Sequence, residues 1–86
     1  MSSYTFSLSP CAQRELNRFH GKTHARLQSA IDKLASDPRP PGCLKLEGRA
    51  QEWRIRVGVY HIIYAIGDEV QHVEIRRVGH RREVYR

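Results

Sequence analysis

A proline-rich segment divides this chain into two halves with different local patterns. Three of the four prolines fall within SDPRPPG, residues 36–42. Proline fixes φ, lacks a backbone N–H and disfavours helical geometry at the residue before it, so no helix can run through this segment. We predict an extended connection here, with helical patterns before it and strand patterns after it.

The N-terminal half begins with a strand pattern. Residues 4–9, YTFSLS, alternate apolar and hydroxyl-bearing side chains, which is the period of a half-buried strand. Ser9 followed by Pro10 is typical of a helix start, because the serine hydroxyl caps free amides and proline has no hydrogen bond to lose in the first turn. A first helix is predicted from about Pro10 to His20.

A second helix follows the first after a glycine. Gly21 ends the first helix, and Thr23 is predicted to cap the next. The apolar residues of the second helix recur at i, i+3, i+4 and i+7: Leu27, Ala30, Ile31 and Leu34. The two segments together predict a helical hairpin.

Everything after the proline-rich segment has strand character. In EWRIRVG, apolar side chains alternate with Arg54 and Arg56, so one face of this strand is apolar and the other cationic. Gly58 permits a tight reversal into VYHIIYAI, which is apolar on both faces and suits a central strand. A second turn at Gly67 and Asp68 leads into VQHVEIRRV, and a short extra strand is expected near residues 43–46.

These elements predict an α+β fold in a single domain, residues 1–86. Two amphipathic helices and an antiparallel meander with one apolar face bury each other most simply as two layers, with the helices on one side of the sheet. The opposite sheet face is then left open. That face carries Arg54 and Arg56.

Charge and composition narrow the class of partner. Lys and Arg together number 15 against 9 acidic residues, for a formal net charge of +6, and all but Lys22, Lys33 and Lys45 of these cations are arginines. Guanidinium offers a rigid fork of donors that matches phosphate oxygens, so nucleic acid is the leading partner class. The C-terminal residues 76–86 are especially basic, although a solvated tail that aids solubility would show the same composition.

Other site chemistries find little support in the chain. The cysteines, Cys11 and Cys43, have neither CxxC nor zinc-type histidine spacing, and no glycine-rich phosphate loop or nucleophile motif occurs. We therefore expect no metal and no cofactor. No apolar run is long enough to span a membrane and no signal peptide is evident, so a reducing cytoplasm is the expected location.

The chain resembles a known family over essentially its whole length. DPRPPGCLKLEG, then EWRIRVGVYHIIYAI, then the closing VGHRREVYR are similar to segments of the RelE/ParE superfamily of bacterial type II toxins, in its RelE-like branch. The central run is close to a family pattern of Tyr-Arg-Ile-Arg-x-Gly-x-Tyr-Arg-x-x-Tyr. The resemblance implies the RelE-like microbial ribonuclease fold.

The resemblance also implies an activity and partners. RelE-like toxins are ribosome-dependent endoribonucleases, or mRNA interferases, which cut messenger RNA in the A site of the 70S ribosome by driving the ribose 2′-hydroxyl onto the neighbouring phosphate. Without a metal, the protein must supply charge for the phosphate and groups that move protons. A cognate antitoxin protein is implied as well, and an acidic, partly disordered segment would suit the cationic face.

Site residues follow from the match by position. The implied catalytic set is Arg54 and Arg56 on the strand, His61 after the tight turn, and Arg81 and Tyr85 in the tail. Tyr85 can stack on an exposed base or simply pin the terminus to the sheet. Further RNA-binding residues are expected among the neighbouring cations of the C-terminal region: Arg76, Arg77, His80, Arg82 and Arg86.

Two departures from the family pattern leave the general base open. Relatives can carry lysine at the strand positions, one of them proposed as the base, whereas Arg54 and Arg56 stay protonated. The family usually has arginine where this chain has His61. A histidine can exchange a proton near neutral pH, so His61 is either the base or a weakening substitution. His80 is a candidate supplementary proton donor.

Two other functions remain open from the sequence. A ParE-like toxin that poisons DNA gyrase shares the fold but usually lacks the full set of basic and aromatic residues in the tail. A nonenzymatic RNA-binding module would show salt-sensitive binding and no cleaved product. Codon preference and the identity of the antitoxin are beyond what the sequence determines.

Overall fold

The structure, a computed structural model, describes residues 4–48 and 51–80. Within these residues the chain forms two helices and five strands. In chain order the elements are β1 (Thr5–Leu8), α1 (Pro10–Asn17), α2 (Gly21–Ser36), β2 (Leu44–Lys45), β3 (Glu52–Val57), β4 (Tyr60–Gly67) and β5 (His72–His80). The predicted order of elements is confirmed, including the short strand after the proline-rich segment.

The five strands form one sheet in the order β1-β5-β4-β3-β2. As the predicted meander requires, β2 pairs antiparallel with β3, β3 with β4, and β4 with β5. Strand β1 lies parallel to β5, with Thr5 opposite His72 and Leu8 opposite Ile75. The α+β prediction is confirmed, and the sheet is mixed because the helical hairpin carries the chain from one edge strand, β1, to the other, β2.

The helix boundaries differ from the predicted ones at the junction between α1 and α2. Ser9 caps α1 as expected, since its Oγ accepts from the Ala12 N–H at 3.1 Å. The predicted cap at Thr23 is wrong, because α2 already begins at Gly21 and His20 holds the cap position in extended geometry. Gly21 has a φ of +60°, which lets the chain turn sharply and start α2 three residues earlier than a cap at Thr23 would.

The core lies between the two helices and one face of the sheet. Its fully buried side chains come from both layers: Leu16, Leu27, Ile31, Leu34, Ile62, Tyr64, Val73 and Ile75. The hydroxyl of Tyr64 donates a hydrogen bond to the backbone carbonyl of Pro38, in the proline-rich segment, at 2.7 Å. Burial raises the pKa of Tyr64, so the hydroxyl keeps its proton and holds the proline-rich segment against β4.

The turn between β3 and β4 contains only Gly58 and Val59. Gly58 has a φ of +63°, and a positive φ at the first of two turn residues is typical of the type II′ turn that joins antiparallel strands. The turn holds β3 and β4 in register, with Arg56 opposite His61 and Arg54 opposite Ile63.

A β-bulge changes the register between β4 and β5. Ile63 lies opposite Arg77 whereas Tyr64 lies opposite Ile75, so Arg76 is the extra residue. The bulge turns the side chain of Arg77 to the same face as Ile63 and keeps Val78 in the core beside Ile62.

Among the described residues, no helix has both the length and the apolar composition needed to cross a membrane.

Candidate nucleic-acid interface

Arg54 and Arg56 lie on the sheet face that is turned away from the helices. Trp53, Ile55 and Val57 pack against or within the core, and strand alternation directs the two arginines to the opposite face. Their Cα atoms are separated by about 6.6 Å, two residues of an extended strand. The structure therefore places these two predicted site residues side by side, as the sequence pattern indicated.

The centre of this face is more covered than we predicted. Ile63 lies in register between Arg54 and Arg77, and His61 lies between Arg56 and Gly79. The exposed fractions are only 1% for Ile63 and 3% for His61. His61 is thus next to Arg56, but its ring is buried.

Neither Arg54 nor Arg56 forms an ion pair with any residue that the structure describes. The Nε of Arg54 is buried and has no hydrogen-bond acceptor within residues 4–48 and 51–80. A buried donor without an acceptor costs about 1–3 kcal/mol, and such groups in native proteins need an explanation. An oxygen of a bound phosphate would be a suitable acceptor.

Arg76 is held by carboxylates on the same face. Its guanidinium donates to Glu52 at 2.6 Å and to Glu74 at 2.9 Å. The hydrogen bonds to Glu52 and then Glu74 raise the pKa of Arg76 further. Ala65 lies in register between the two acids, and its small side chain leaves room for the arginine to cross β4. This predicted RNA-binding residue is therefore neutralised and ties three strands together.

Arg77 is also held by an acid, from the helical layer. Glu15 of α1 accepts from Arg77 Nε at 3.1 Å and from its terminal nitrogen at 3.0 Å. The same carboxylate accepts from the Val78 backbone N–H at 2.9 Å. Strand β1 ends at Leu8, so Glu15 takes the place of a strand partner for the last part of β5. No sequence pattern indicated this role, because β1 was not assigned a neighbour.

The remaining predicted residues lie at or beyond the end of β5. His80 is the last residue of the strand, lies opposite Tyr60 and is partly buried. The predictions for Arg81, Arg82, Tyr85 and Arg86 lie outside the described residues.

A second polar cluster lies at the other end of the sheet, and no sequence pattern indicated it. Arg39 of the proline-rich segment donates to both carboxylate oxygens of Asp68, at 3.1 and 2.9 Å, and Tyr4 donates to the same acid at 2.9 Å. These bonds, that of Arg39 first, lower the pKa of Asp68. Arg39 also stacks over the Trp53 ring at 5.0 Å. The cluster joins the proline-rich segment to the β4–β5 turn and is remote from Arg56.

The side chains that the structure describes do not form a metal site. Within residues 4–48 and 51–80, no group of three or more His, Cys, Asp or Glu side chains is arranged to hold a metal ion. Cys11 and Cys43 are both free thiols. The functional groups on this face include the guanidinium groups of Arg54 and Arg56, the imidazole of His61 and the carboxylates of Glu52 and Glu74.

Comparison with known proteins places these features in a family. A sequence model described as the ParE toxin of the type II toxin–antitoxin system, parDE, matches residues 6–85. Toxin RelG from Mycobacterium tuberculosis is 31% identical over 84 residues, which is 96% of this chain and 97% of that protein.

Solved structures agree with this assignment. A chain of the toxin–antitoxin complex RelBE2 from Mycobacterium tuberculosis is 30% identical with a TM-score of 0.79, covering 92% of this chain and 99% of that one. A chain of the archaeal RelE–RelB complex from Pyrococcus horikoshii is 23% identical with a TM-score of 0.81, covering 96% and 99%. The second likeness supports the fold alone.

Proposed function

We propose, from the premise that this chain belongs to the ParE toxin family of type II toxin–antitoxin systems, that it is a ribosome-dependent endoribonuclease. It cuts messenger RNA in the ribosomal A site by attack of a ribose 2′-hydroxyl on the adjacent phosphate, and so inhibits translation. The reaction proceeds without a metal because protein cations stabilise the charge on the phosphate.

One observation carries this proposal: Arg54 and Arg56 are adjacent cations on one sheet face, without carboxylate partners among the described residues. By contrast, Arg39, Arg76 and Arg77 are each held by an acid. Two neighbouring strand arginines without an acid among the described residues are suited to an external anion. Two guanidinium groups at this spacing suit one phosphate or two successive ones.

The other site residues have the following proposed roles. Because the ring is buried, the geometry of His61 favours holding Arg56 in place over direct exchange of a proton with the substrate. By family resemblance, Arg81 adds charge at the phosphate and Tyr85 stacks on a base. His80 pairs with Tyr60 and lies on the same sheet face as Val78, away from Arg54 and Arg56, so its role as a proton donor rests on the resemblance alone.

The proposed partners are an antitoxin, messenger RNA and the ribosome. Support for the antitoxin comes from the relative of 30% identity, whose solved structure is a toxin–antitoxin complex. Support for RNA comes from the net charge of +6 and from the unpaired arginines.

Purified ribosomes carrying a defined A-site codon test this function. We expect single-turnover cleavage within the A-site codon, and Arg54→Gln should slow it about 100-fold, the cost of removing one preorganised donor to a transition state. Arg14→Gln is the matched control, because Arg14 is an exposed arginine of α1 on the helical layer. Equal rates for the two variants would contradict the role of Arg54.

A second candidate function is the poisoning of DNA gyrase, since the matching family model is that of ParE toxins. This function predicts DNA breaks in cells that express the chain and no cleavage of ribosome-bound RNA. RNA binding without a cleaved product would instead indicate a nonenzymatic RNA-binding module.

A further inference from the structure

The open face of the sheet has a second charged region beside Arg54. Strand alternation places Glu52 on the same face as Arg54. The register across the sheet places Ala65 next to Glu52 and Glu74 on the far side of Ala65. Arg76 bridges the two acids, with bonds of 2.6 Å to Glu52 and 2.9 Å to Glu74. We call Glu52, Glu74 and Arg76 together the open-face cluster.

Only part of this cluster is accessible to a ligand. The side chain of Glu52 is 13% exposed, whereas those of Arg76 and Glu74 are 44% and 43% exposed. Glu52 already binds the guanidinium by the shorter bond, so Arg76 has an acid without the help of Glu74. An exposed acid beside a phosphate site repels RNA, unless it accepts hydrogen bonds from another part of the nucleotide.

The exposed pair has hydrogen-bonding capacity to spare. Oε1 of Glu74 accepts from Arg76 Nε, and within residues 4–48 and 51–80 its Oε2 accepts no hydrogen bond. An ionised carboxylate can accept about four hydrogen bonds, and a guanidinium has five donors. Ser7 lies opposite Glu74 on β1, but its hydroxyl is hydrogen-bonded to His72 at 2.9 Å. Two adjacent acceptors on Glu74 and a donor on Arg76 are therefore available to a ligand.

We propose that Glu74 and Arg76 bind the base-pairing edge of a guanine in the RNA whose phosphate lies at Arg54. Guanine is the one RNA base whose edge presents two adjacent donors, N1–H and the N2 amino group, followed by an acceptor, O6. The two acceptors of Glu74 and the donor of Arg76 match this order, and proteins read single-stranded bases at this edge. That the ligand is RNA rests on the proposed function.

The spacing on the sheet suits a phosphate and its own base. Glu52 and Arg54 are two residues apart on an extended strand, so the Arg76 guanidinium at Glu52 lies about 6.6 Å along the strand from Arg54. The buried Nε of Arg54 has no acceptor in the part of the chain that the structure describes, which independently indicates an anion there. A base attached to that anion would lie within reach of the exposed pair.

The consequence for the reaction is base selectivity. Arg54 binds the phosphate of any nucleotide, whereas Glu74 accepts two hydrogen bonds only from guanine. We therefore expect codons with a guanine beside the cleaved bond to be preferred substrates.

Binding of modified RNA hexamers to the full chain tests the proposal. One hexamer carries a single guanosine among uridines, and the other carries inosine at that position, which lacks only the N2 amino group. All riboses are 2′-O-methylated, so no 2′-hydroxyl can attack a phosphate and binding is measured without cleavage. We expect fluorescence anisotropy to show about tenfold tighter binding of the guanosine hexamer, the discrimination typical of a good bidentate contact to a base.

Two variants of equal charge test the role of Glu74. Glu74→Gln replaces one acceptor by a donor, so the preference for guanosine should disappear, while Arg76 keeps its bond to Glu52. Glu69→Gln removes the same charge from the exposed turn between β4 and β5, outside the cluster, and should keep the preference. Equal binding of the two hexamers by the parent, failure to bind either, or an unchanged preference in Glu74→Gln would overturn the proposal.

The outcomes separate this proposal from the proposed function. Cleavage of ribosome-bound RNA together with equal binding of the two hexamers would refute only the guanine site. A preference for guanosine that depends on Glu74, without any cleavage on the ribosome, would keep the guanine site and refute the ribonuclease.

Discussion

At the scale of single residues, the ionic partners of the arginines separate structural roles from a candidate catalytic one. The sequence shows Arg54, Arg56, Arg76 and Arg77 as equivalent cations on strands. In the structure, Arg76 is bound by Glu52 and Glu74, and Arg77 by Glu15. Removing Arg54 or Arg56 therefore removes charge that we propose for RNA, whereas removing Arg76 or Arg77 removes a guanidinium that an acid of the protein binds.

The salt dependence of RNA binding should distinguish these arginines. For single strands, the slope of log K against log salt changes by about 0.7 for each phosphate that a protein cation neutralises. We expect Arg56→Gln to reduce the slope by about that amount. Arg76→Gln should leave the slope nearly unchanged. Fluorescence anisotropy with a labelled oligonucleotide over a salt series measures both, and equal changes would contradict the distinction.

The burial of His61 leads to a prediction about pH. If His61 holds Arg56 in place, His61→Gln should lower the cleavage rate by the same factor at every pH, because the titrating group lies elsewhere. A histidine that exchanges the proton itself would instead give a rate profile with a limb from its own titration, and the variant would lose that limb. Single-turnover rates of both proteins between about pH 5 and pH 9 would separate the two roles.

At the scale of elements, Glu15 shows how a helix can complete a sheet. Strand β1 is four residues long and leaves the end of β5 without a neighbour on that side. The Glu15 carboxylate bonds the Val78 N–H and the Arg77 guanidinium together, so α1 holds the part of β5 that leads into the tail.

Substitution of Glu15 should therefore affect stability. We expect Glu15→Ala to lower the free energy of unfolding by about 2 kcal/mol, because it removes the acceptor of the partly buried Val78 N–H and the carboxylate that binds Arg77. Glu15→Gln keeps one acceptor and should cost less. Urea denaturation of the two variants checks the order, and an Ala variant as stable as the Gln variant would contradict this role.

Element types could be predicted from local patterns, but some boundaries could not. Alternation in EWRIRVG and the 3.6-residue period in α2 both act within a few neighbouring residues, so these elements were confirmed. The start of α2 depended on the tight turn between two packed helices. The bulge at Arg76 depended on packing across β4 and β5, which leaves no local signal.

At the scale of the whole molecule, side-chain hydrogen bonds to Asp68 connect both ends of the helical half of the chain to the sheet. Arg39, Asp68 and Tyr4 connect the proline-rich segment, the β4–β5 turn and the residue before β1. These side chains are well exposed, so water and salt weaken the ion pair.

The lowered pKa of Asp68 makes this connection depend on pH. The folded-state pKa lies below the unfolded value of about 3.9, so the contribution to stability is present above that value and is lost as pH falls through the folded-state pKa. We expect Asp68→Asn to be less stable than the parent near pH 7, and the difference to disappear in acid, below the folded-state pKa of Asp68.

Urea midpoints of the parent and of Asp68→Asn, measured near neutral pH and in acid, test this change. Glu69→Gln serves as the control, because Glu69 is the exposed next residue and has no ion pair among the described residues. A difference between parent and Asp68→Asn that persists unchanged in acid would show that Asp68 acts by some means other than its charge.

The sequence by itself determined the order and type of the elements, the two layers, the cationic strand face and the family, because each depends on local periodicity or on a continuous motif. Only the tertiary structure decided which of the strand arginines are bound by acids, that His61 is buried, and that β1 lies parallel to β5. These features depend on contacts between residues far apart in the chain, such as Glu15 with Val78, and such contacts exist only once the layers have packed.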